Sequence, residues 1–281
     1  RLSLRRGGTV MFHFQTGSLF SRSSGAPKAD PEPEPSTQIL AVWGSPGSGK
    51  TTVSVKLAQY LTDQRRNVLL LLCDSTTPML PCICPPADLE CECSLGSVLA
   101  ASHITASLIR HNCITHKRIS HLSILGMRKG ENVFTYPPYN SELAAELIAG
   151  LREVAPYVII DCGSAIAHDI LSAVALMDSD AVLRLVGCDL KSVSYLSSQL
   201  PLLKDNKWDA EKQYKAASNI RANQASENME QILGSVAFRL PHSDELENQM
   251  LAGDLFRDLS LKESRGFRKE IQKISKEVFD V

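Results

Sequence analysis

The stretch "WGSPGSGKTT" (residues 43–52) carries the pattern G-x-x-x-x-G-K-[ST] on Gly44, Gly49, Lys50 and Thr51. Small residues at Ser45, Pro46, Gly47 and Ser48 let consecutive backbone N–H groups turn inward around an anion. At such a loop the lysine reaches the outer phosphates and the Thr51 hydroxyl ligates a divalent cation, with Thr52 next to it. Two carboxylates extend the set: Asp74 closes "VLLLLC" and Asp161 closes "YVII". An aspartate that ends a strand beside such a loop holds Mg²⁺ directly or through its water. One alone is as readily a turn or helix cap. Two of them together with the loop point to a magnesium–nucleotide site.

Elements must hold these residues in place. "QILAVW" (Gln38–Trp43) is a short apolar run suited to a buried strand, and Val53, Val55, Leu57, Ala58 and Leu61 recur at mostly helical spacing. Strand, glycine-rich turn and helix aim a helix N-terminus at the phosphates. Further strand-like runs follow at residues 67–74, 121–126, 157–163, 180–187, 214–219 and 233–241. A helix is expected over Ser141–Val154, capped by Ser141. Continuous apolar strands alternating with helices predict an α/β fold with a mainly parallel sheet covered on both faces. The ligand site belongs at the carboxyl ends of its strands.

At 281 residues and 43% hydrophobic content, the chain suffices for one substantial core. Residues 1–36 are expected to be a disordered extension and linker, since "SRSSGAPKADPEPEPST" is too rich in Ser, Pro and charge to build a core. The nucleotide-binding domain is then expected to span 37–281. A net charge of −1 does not favour a nucleic-acid or membrane binder. Eight cysteines scattered through such a chain read as a reducing cytoplasm.

In this order of elements the chain resembles the ParA/MinD superfamily of dimerising ATPases. The resemblance also rests on "SLGSVLAASH", "HLSILGMRKG", "APYVIIDCG", "MDSDAVLRLVGCDLKSVSYLSSQL" and "ILGSVAFRLPHSDELENQMLAGDLFRDL", and spans roughly residues 38–280. The chain looks closest to the CpaE/TadZ-like pilus-assembly branch. The resemblance implies a twisted sheet of seven to eight strands and an ATP-dependent homodimer. It also implies a protein partner in a pilus or conjugation-type secretion apparatus, with the chain cytoplasmic or peripheral at the inner face of the membrane. By position, Gly44 to Thr52 would wrap the phosphates of ATP and Asp161 would be the second acidic motif beside Mg²⁺. Asn219 would recognise adenine, with Pro241 packed on the base. Two departures stand out. Ser45 occupies the place of the family's cross-dimer lysine, and Thr76 that of the aspartate that orients the attacking water. A hydroxyl is a far poorer proton acceptor than a carboxylate, so slow hydrolysis is expected.

"PCICPPADLECECS" places Cys82, Cys84, Cys91 and Cys93 as two C-x-C pairs. Structural zinc sites use wider C-x₂₋₄-C spacing, so ordinary reduced thiols are expected, and a metal-cluster carrier is the lesser alternative. In "RGFRKEIQKISKEVFDV", Phe267, Ile271, Ile274 and Val278 share one helical face, which predicts a terminal helix packed on the sheet. Membrane-surface and DNA contacts through Arg268, Lys269, Lys273 and Lys276 stay open, as does a DNA-partitioning role. The polar and aromatic stretch 126–140 is expected to be a surface loop.

Overall fold

A computed structural model of the chain describes residues 37–89, 93–203, 211–224 and 234–281. The expected extension at 1–36, Cys91 and Leu233 lie outside the described residues.

Alternate residues of strand β1 (Gln38–Gly44) feed two different cores: Leu40 and Val42 join one, Ile39, Ala41 and Trp43 the other. The same alternation runs through β2 (Val68–Leu72) and β5 (Tyr157–Asp161), all of whose residues are buried. A strand buried on both faces has no reason to alternate apolar with polar, which is why these segments read as unbroken apolar runs. Each such Leu, Ile or Val contributes about 1.5–3 kcal/mol by leaving water.

The remaining strands are β3 (Ile114–His116), β4 (Ile119–Leu125), β6 (Ala181–Gly187), β7 (Gln213–Ile220) and β8 (Phe238–Pro241). They form one eight-stranded sheet in the order β3-β4-β2-β5-β1-β6-β7-β8. Every pairing is parallel except β3 with β4. The central strand β1 lies between β5 and β6, with Val42 beside Asp161 and Gly44 beside Leu185. The expected α/β class, parallel sheet and strand number are therefore those observed.

Among the described residues, the helices are α1 (Lys50–Asp63), α2 (Leu80–Ile83), α3 (Leu95–Leu99), α4 (Ala106–Asn112), α5 (Ser141–Leu151), α6 (Ile170–Asp178), α7 (Leu190–Gln199), α8 (Asp244–Leu251) and α9 (Arg265–Phe279). Helix α5 is capped by Asn140, not by Ser141. The extended Asn140 accepts a 3.0 Å hydrogen bond from the Leu143 N–H, and Ser141 is already helical. Asparagine caps as well as serine, so the sequence offered two adjacent candidates and the backbone chose the first. Strand β3 escapes sequence reading because three residues show no period.

Helix α9 buries Phe267, Ile271, Ile274 and Phe279 against α1 and β8, with Val278 packed at the edge. Lys273 donates to the Ala237 carbonyl at 2.8 Å and lies over the Phe238 ring, while Arg268, Lys269 and Lys276 face solvent. The apolar stripe is committed to the core, as its helical spacing predicts. No described helix is long and apolar enough to cross a membrane.

Candidate functional site

The glycine loop departs from β1 at a point of backbone contact. A Cβ on Gly44 would stand 1.8 Å from the Leu185 carbonyl oxygen, so only glycine lets β1 and β6 approach this closely. Gly47 and Gly49 take φ values of +78° and +82°, a region costly for other residues. Gly49 leads into α1, whose first turn carries neither a side-chain cap nor an acidic residue. Its N–H groups are left pointing outward, which suits an anion.

Lys50 crosses this opening and donates to Ser164 Oγ at 2.6 Å and to the Ser45 carbonyl at 3.4 Å. Its ammonium makes no ion pair among the described residues. Burial lowers its pKa, opposed by the charges of Asp161, Cys162 and Asp74. Thr51 donates to Asp161 Oδ2 at 2.6 Å and Ser54 to Asp161 Oδ1 at 3.4 Å. Asp161 is 3% exposed, and burial pushes its carboxyl up to about 6 despite the Thr51 hydrogen bond and the Lys50 charge. A carboxylate, a hydroxyl and an ammonium therefore converge where β1, β5 and α1 meet.

An anion and a divalent cation fit these residues. Ser48 Oγ is buried in the loop without a hydrogen-bond partner, an orphan that a bound oxyanion would satisfy. Thr51 and Asp161 offer hard oxygen ligands of the kind magnesium takes. Asp74 lies further out, half-buried, and its Oδ1 accepts from the N–H groups of Thr76 and Thr77 at 2.9 and 2.8 Å.

Ser45 stands apart from the rest of the loop. Its Oγ donates to Ser192 Oγ at 2.9 Å and accepts from the Gly187 N–H at 3.3 Å, while its own N–H donates to the Leu185 carbonyl. The side chain is fully buried, so only the Ser45 carbonyl faces the site, and the residue serves the loop's scaffold instead of reaching outward. Pro46 likewise brings no N–H.

Beside Gly47, Ser48, Gly49 and Thr52 lies a cavity of about 310 Å³ walled on the far side by Ser218, Asn219, Pro241 and His242. Asn219 has a left-handed φ of +55°, and its Oδ1 pairs with His242 Nδ1 at 2.7 Å. His242 Nε2 turns to Asp244 Oδ1 at 2.9 Å. The larger groove of about 590 Å³ between α1 and α9 lies elsewhere. Within it Lys56 is bonded to Gln59 and to the Arg257 carbonyl, and Gln59 to Asp258.

The structure thus assembles Gly44 to Thr52 with Asp161 at one place, and Asn219 and Pro241 across the adjoining cavity. Sequence reading missed Ser164, Ser218 and His242. Ser164 was findable as the third residue after Asp161, but Ser218, which donates to the Ser48 carbonyl at 2.7 Å, carries no signal of its own. Of the cysteine pairs, Cys84 is buried, Cys82 is half-buried, and Cys93 Sγ donates to the His111 carbonyl. The loop at 126–140 is pinned by Glu131, which accepts from Ser94, Arg128 and Tyr136, and presents Phe134 to solvent.

A family model described as an AAA domain matches residues 38–233. No curated protein matches the chain. Among solved structures, a ParA family ATPase from Chlorobium tepidum superposes with a TM-score of 0.68 at 16% identity, covering 84% of this chain and 98% of that one. The septum site-determining protein MinD of Pyrococcus horikoshii, complexed with Mg-ADP, gives 0.65 at 18% identity, covering 85% and 96%. The MinC:MinD cell division complex of Aquifex aeolicus gives 0.66 at 14% identity, covering 85% and 95%. At these identities the likeness is one of fold, the P-loop fold of ParA and MinD ATPases.

Proposed function

The chain belongs to the AAA domain family, and from that premise we propose that it is an ATP-binding, slowly hydrolysing dimerisation switch of the ParA/MinD type. One observation carries the reading. Lys50, Thr51 and Asp161 converge at the uncapped start of α1, where the lysine is held by a hydroxyl and a carbonyl and the threonine by the carboxylate. The Mg-ADP of the Pyrococcus MinD neighbour supports it.

In this reading the amides of Gly47, Gly49, Lys50, Thr51 and Thr52 hold the phosphates. Lys50 releases Ser164 to neutralise the outer one. Thr51 and Asp161 would hold Mg²⁺, with Asp74 assisting through water, and the cation would neutralise charge on the phosphates. Asn219 offers its amide to the base edge, fixed by His242, and Pro241 covers the base. Ser45, buried on Ser192, reaches no partner subunit, and Thr76 supplies no carboxylate, so turnover rests on positioning and electrostatics.

ATP closure of a homodimer is the proposed switch, docking on a protein partner in a pilus or conjugation-type secretion machine at the cytoplasmic face of the membrane. A neighbour solved as a MinC:MinD complex supports a protein partner. The net charge of −1 and the packed face of α9 weigh against DNA or lipid as the primary one.

Calorimetry on the purified chain tests the core of the proposal: magnesium-dependent uptake of an adenine nucleotide, lost in Lys50→Ala. No uptake, or uptake untouched by that substitution, overturns it. Turnover faster than about 1 s⁻¹, the low end of ordinary enzymes, removes the slow-switch part. Light scattering with a non-hydrolysable ATP analogue tests dimerisation.

A further inference from the structure

The segment after the Asp74 loop is stitched to the antiparallel edge of the sheet. Leu89 bridges to His116, the Lys117 N–H donates to the Asp88 carbonyl at 2.8 Å, and the Leu255 N–H donates to the Ile83 carbonyl at 2.9 Å. This stitching brings one donor atom each from Cys84, Asp88 and His116 within 4.8 Å of one another. Cys84 is 0% exposed and His116 4%, and the imidazole Nε2 is buried without any hydrogen-bond partner.

No hydrogen bond or ion pair joins the three groups. Cys84 makes only a weak 3.6 Å contact to the Pro85 carbonyl, and Asp88 spends Oδ2 on Arg118, leaving Oδ1. The other cluster of this kind, His242, Asp244 and Glu247, differs in just this respect. There the imidazole meets its carboxylates directly, at 2.9 and 3.4 Å, and the acids are exposed, so ordinary pairing accounts for it. A buried imidazole nitrogen with no partner, beside a buried thiol and a carboxylate with one oxygen unused, is what a cation would join.

We propose that Cys84, Asp88 and His116 form a zinc site that clamps the segment Leu80–Leu89 to strand β3. Thiolate, imidazole and carboxylate together suit Zn²⁺ better than the hard cations, which prefer oxygen alone. The charge of Asp254 acts on both Cys84 and His116 and favours a cation between them. Coordination gives up two contacts: the weak donation of the Cys84 thiol to the Pro85 carbonyl, and the 3.2 Å bond in which His116 Nδ1 accepts from the Arg118 N–H, because a metal on Nε2 moves the ring proton to Nδ1. Burial pushes the Cys84 thiol up to about 12, so the free thiol is no nucleophile at neutral pH. Zinc entering the site displaces that proton on binding. The site does not depend on the nucleotide reading, and it separates Cys84 from the C-x-C partner with which the sequence pairs it.

The test is metal analysis of the full chain purified without chelator, then of the stripped protein refilled with Zn²⁺ or Co²⁺. One zinc per chain is expected, with a thiolate-to-cobalt charge-transfer band in the Co²⁺ form. Cys84→Ser should lose the band. Cys84→Ser and His116→Gln should each weaken zinc at least about 10-fold against a competing chelator. Asp88→Asn, at a partly exposed position, serves as the variant least prone to misfold, and Cys82→Ser and Cys93→Ser should keep the metal. No zinc above background in natively folded wild-type protein overturns the proposal. So does a Cys84→Ser variant that retains both zinc and the thiolate band.

Discussion

Asp161 and Asp74 close neighbouring parallel strands, yet they live in different surroundings. Asp161 sits beside Val42 of β1, 3% exposed, and takes the hydroxyls of Thr51 and Ser54 from α1. Asp74 lies two residues beyond the last β2 residue, half-buried, and uses its carboxylate to close its own loop on Thr76 and Thr77. The same sequence signature, an apolar run ending in aspartate, thus gives one buried carboxylate bonded to a helix start and another that shapes a turn. What stands opposite decides which: a helix start bearing hydroxyls, or the chain's own next amides.

The comparison breaks most sharply at Asp161. Asp161→Asn is expected to lower magnesium-dependent turnover by about 10²–10³-fold, as loss of a preorganised electrostatic group does. The same change should stabilise the empty protein. The Asp161 carboxyl is raised from 3.8 to about 6, so between those pH values the folded chain holds a proton that the unfolded chain has lost. Stability therefore falls as pH rises through that window, by up to about 3 kcal/mol. Thermal unfolding from pH 4 to 7 should show this slope in wild type and lose it in Asp161→Asn. A parallel slope in the variant defeats the assignment.

Thr76→Asp, which restores a carboxylate beside the Asp74 loop, should raise phosphate release by about 10-fold or more if proton acceptance limits turnover. Unchanged steady-state rates would place the limit elsewhere. Asp74→Ala removes two side-chain-to-backbone bonds and should cost about 1 kcal/mol of stability, read from urea unfolding. Asp74→Asn keeps the accepting oxygen and should stay within about 0.5 kcal/mol of wild type while weakening magnesium dependence. Equal destabilisation by both would mean that charge, not the turn, is what Asp74 contributes.

The loop, the strand-ending aspartates, the α/β class and the packed terminal helix were legible because each is written in local pattern: a fixed spacing, an apolar run or a helical stripe. Asn140 displacing Ser141 as the cap of α5 turned on one backbone angle, which no pattern encodes. Strand β3 was too short to carry a period. The inward turn of Ser45 depended on Ser192 and Gly187, more than a hundred residues away in the chain.

By itself the sequence determined that a phosphate-type loop would join a buried strand to a helix. Glycine at 44, 47 and 49, lysine at 50 and the apolar run before them leave the backbone few other choices. Only the tertiary structure decided which distant groups share that space. It set Ser164 on Lys50, His242 on Asn219 and His116 near Cys84. Such meetings follow from sheet order and register, which bring together residues that no local spacing relates.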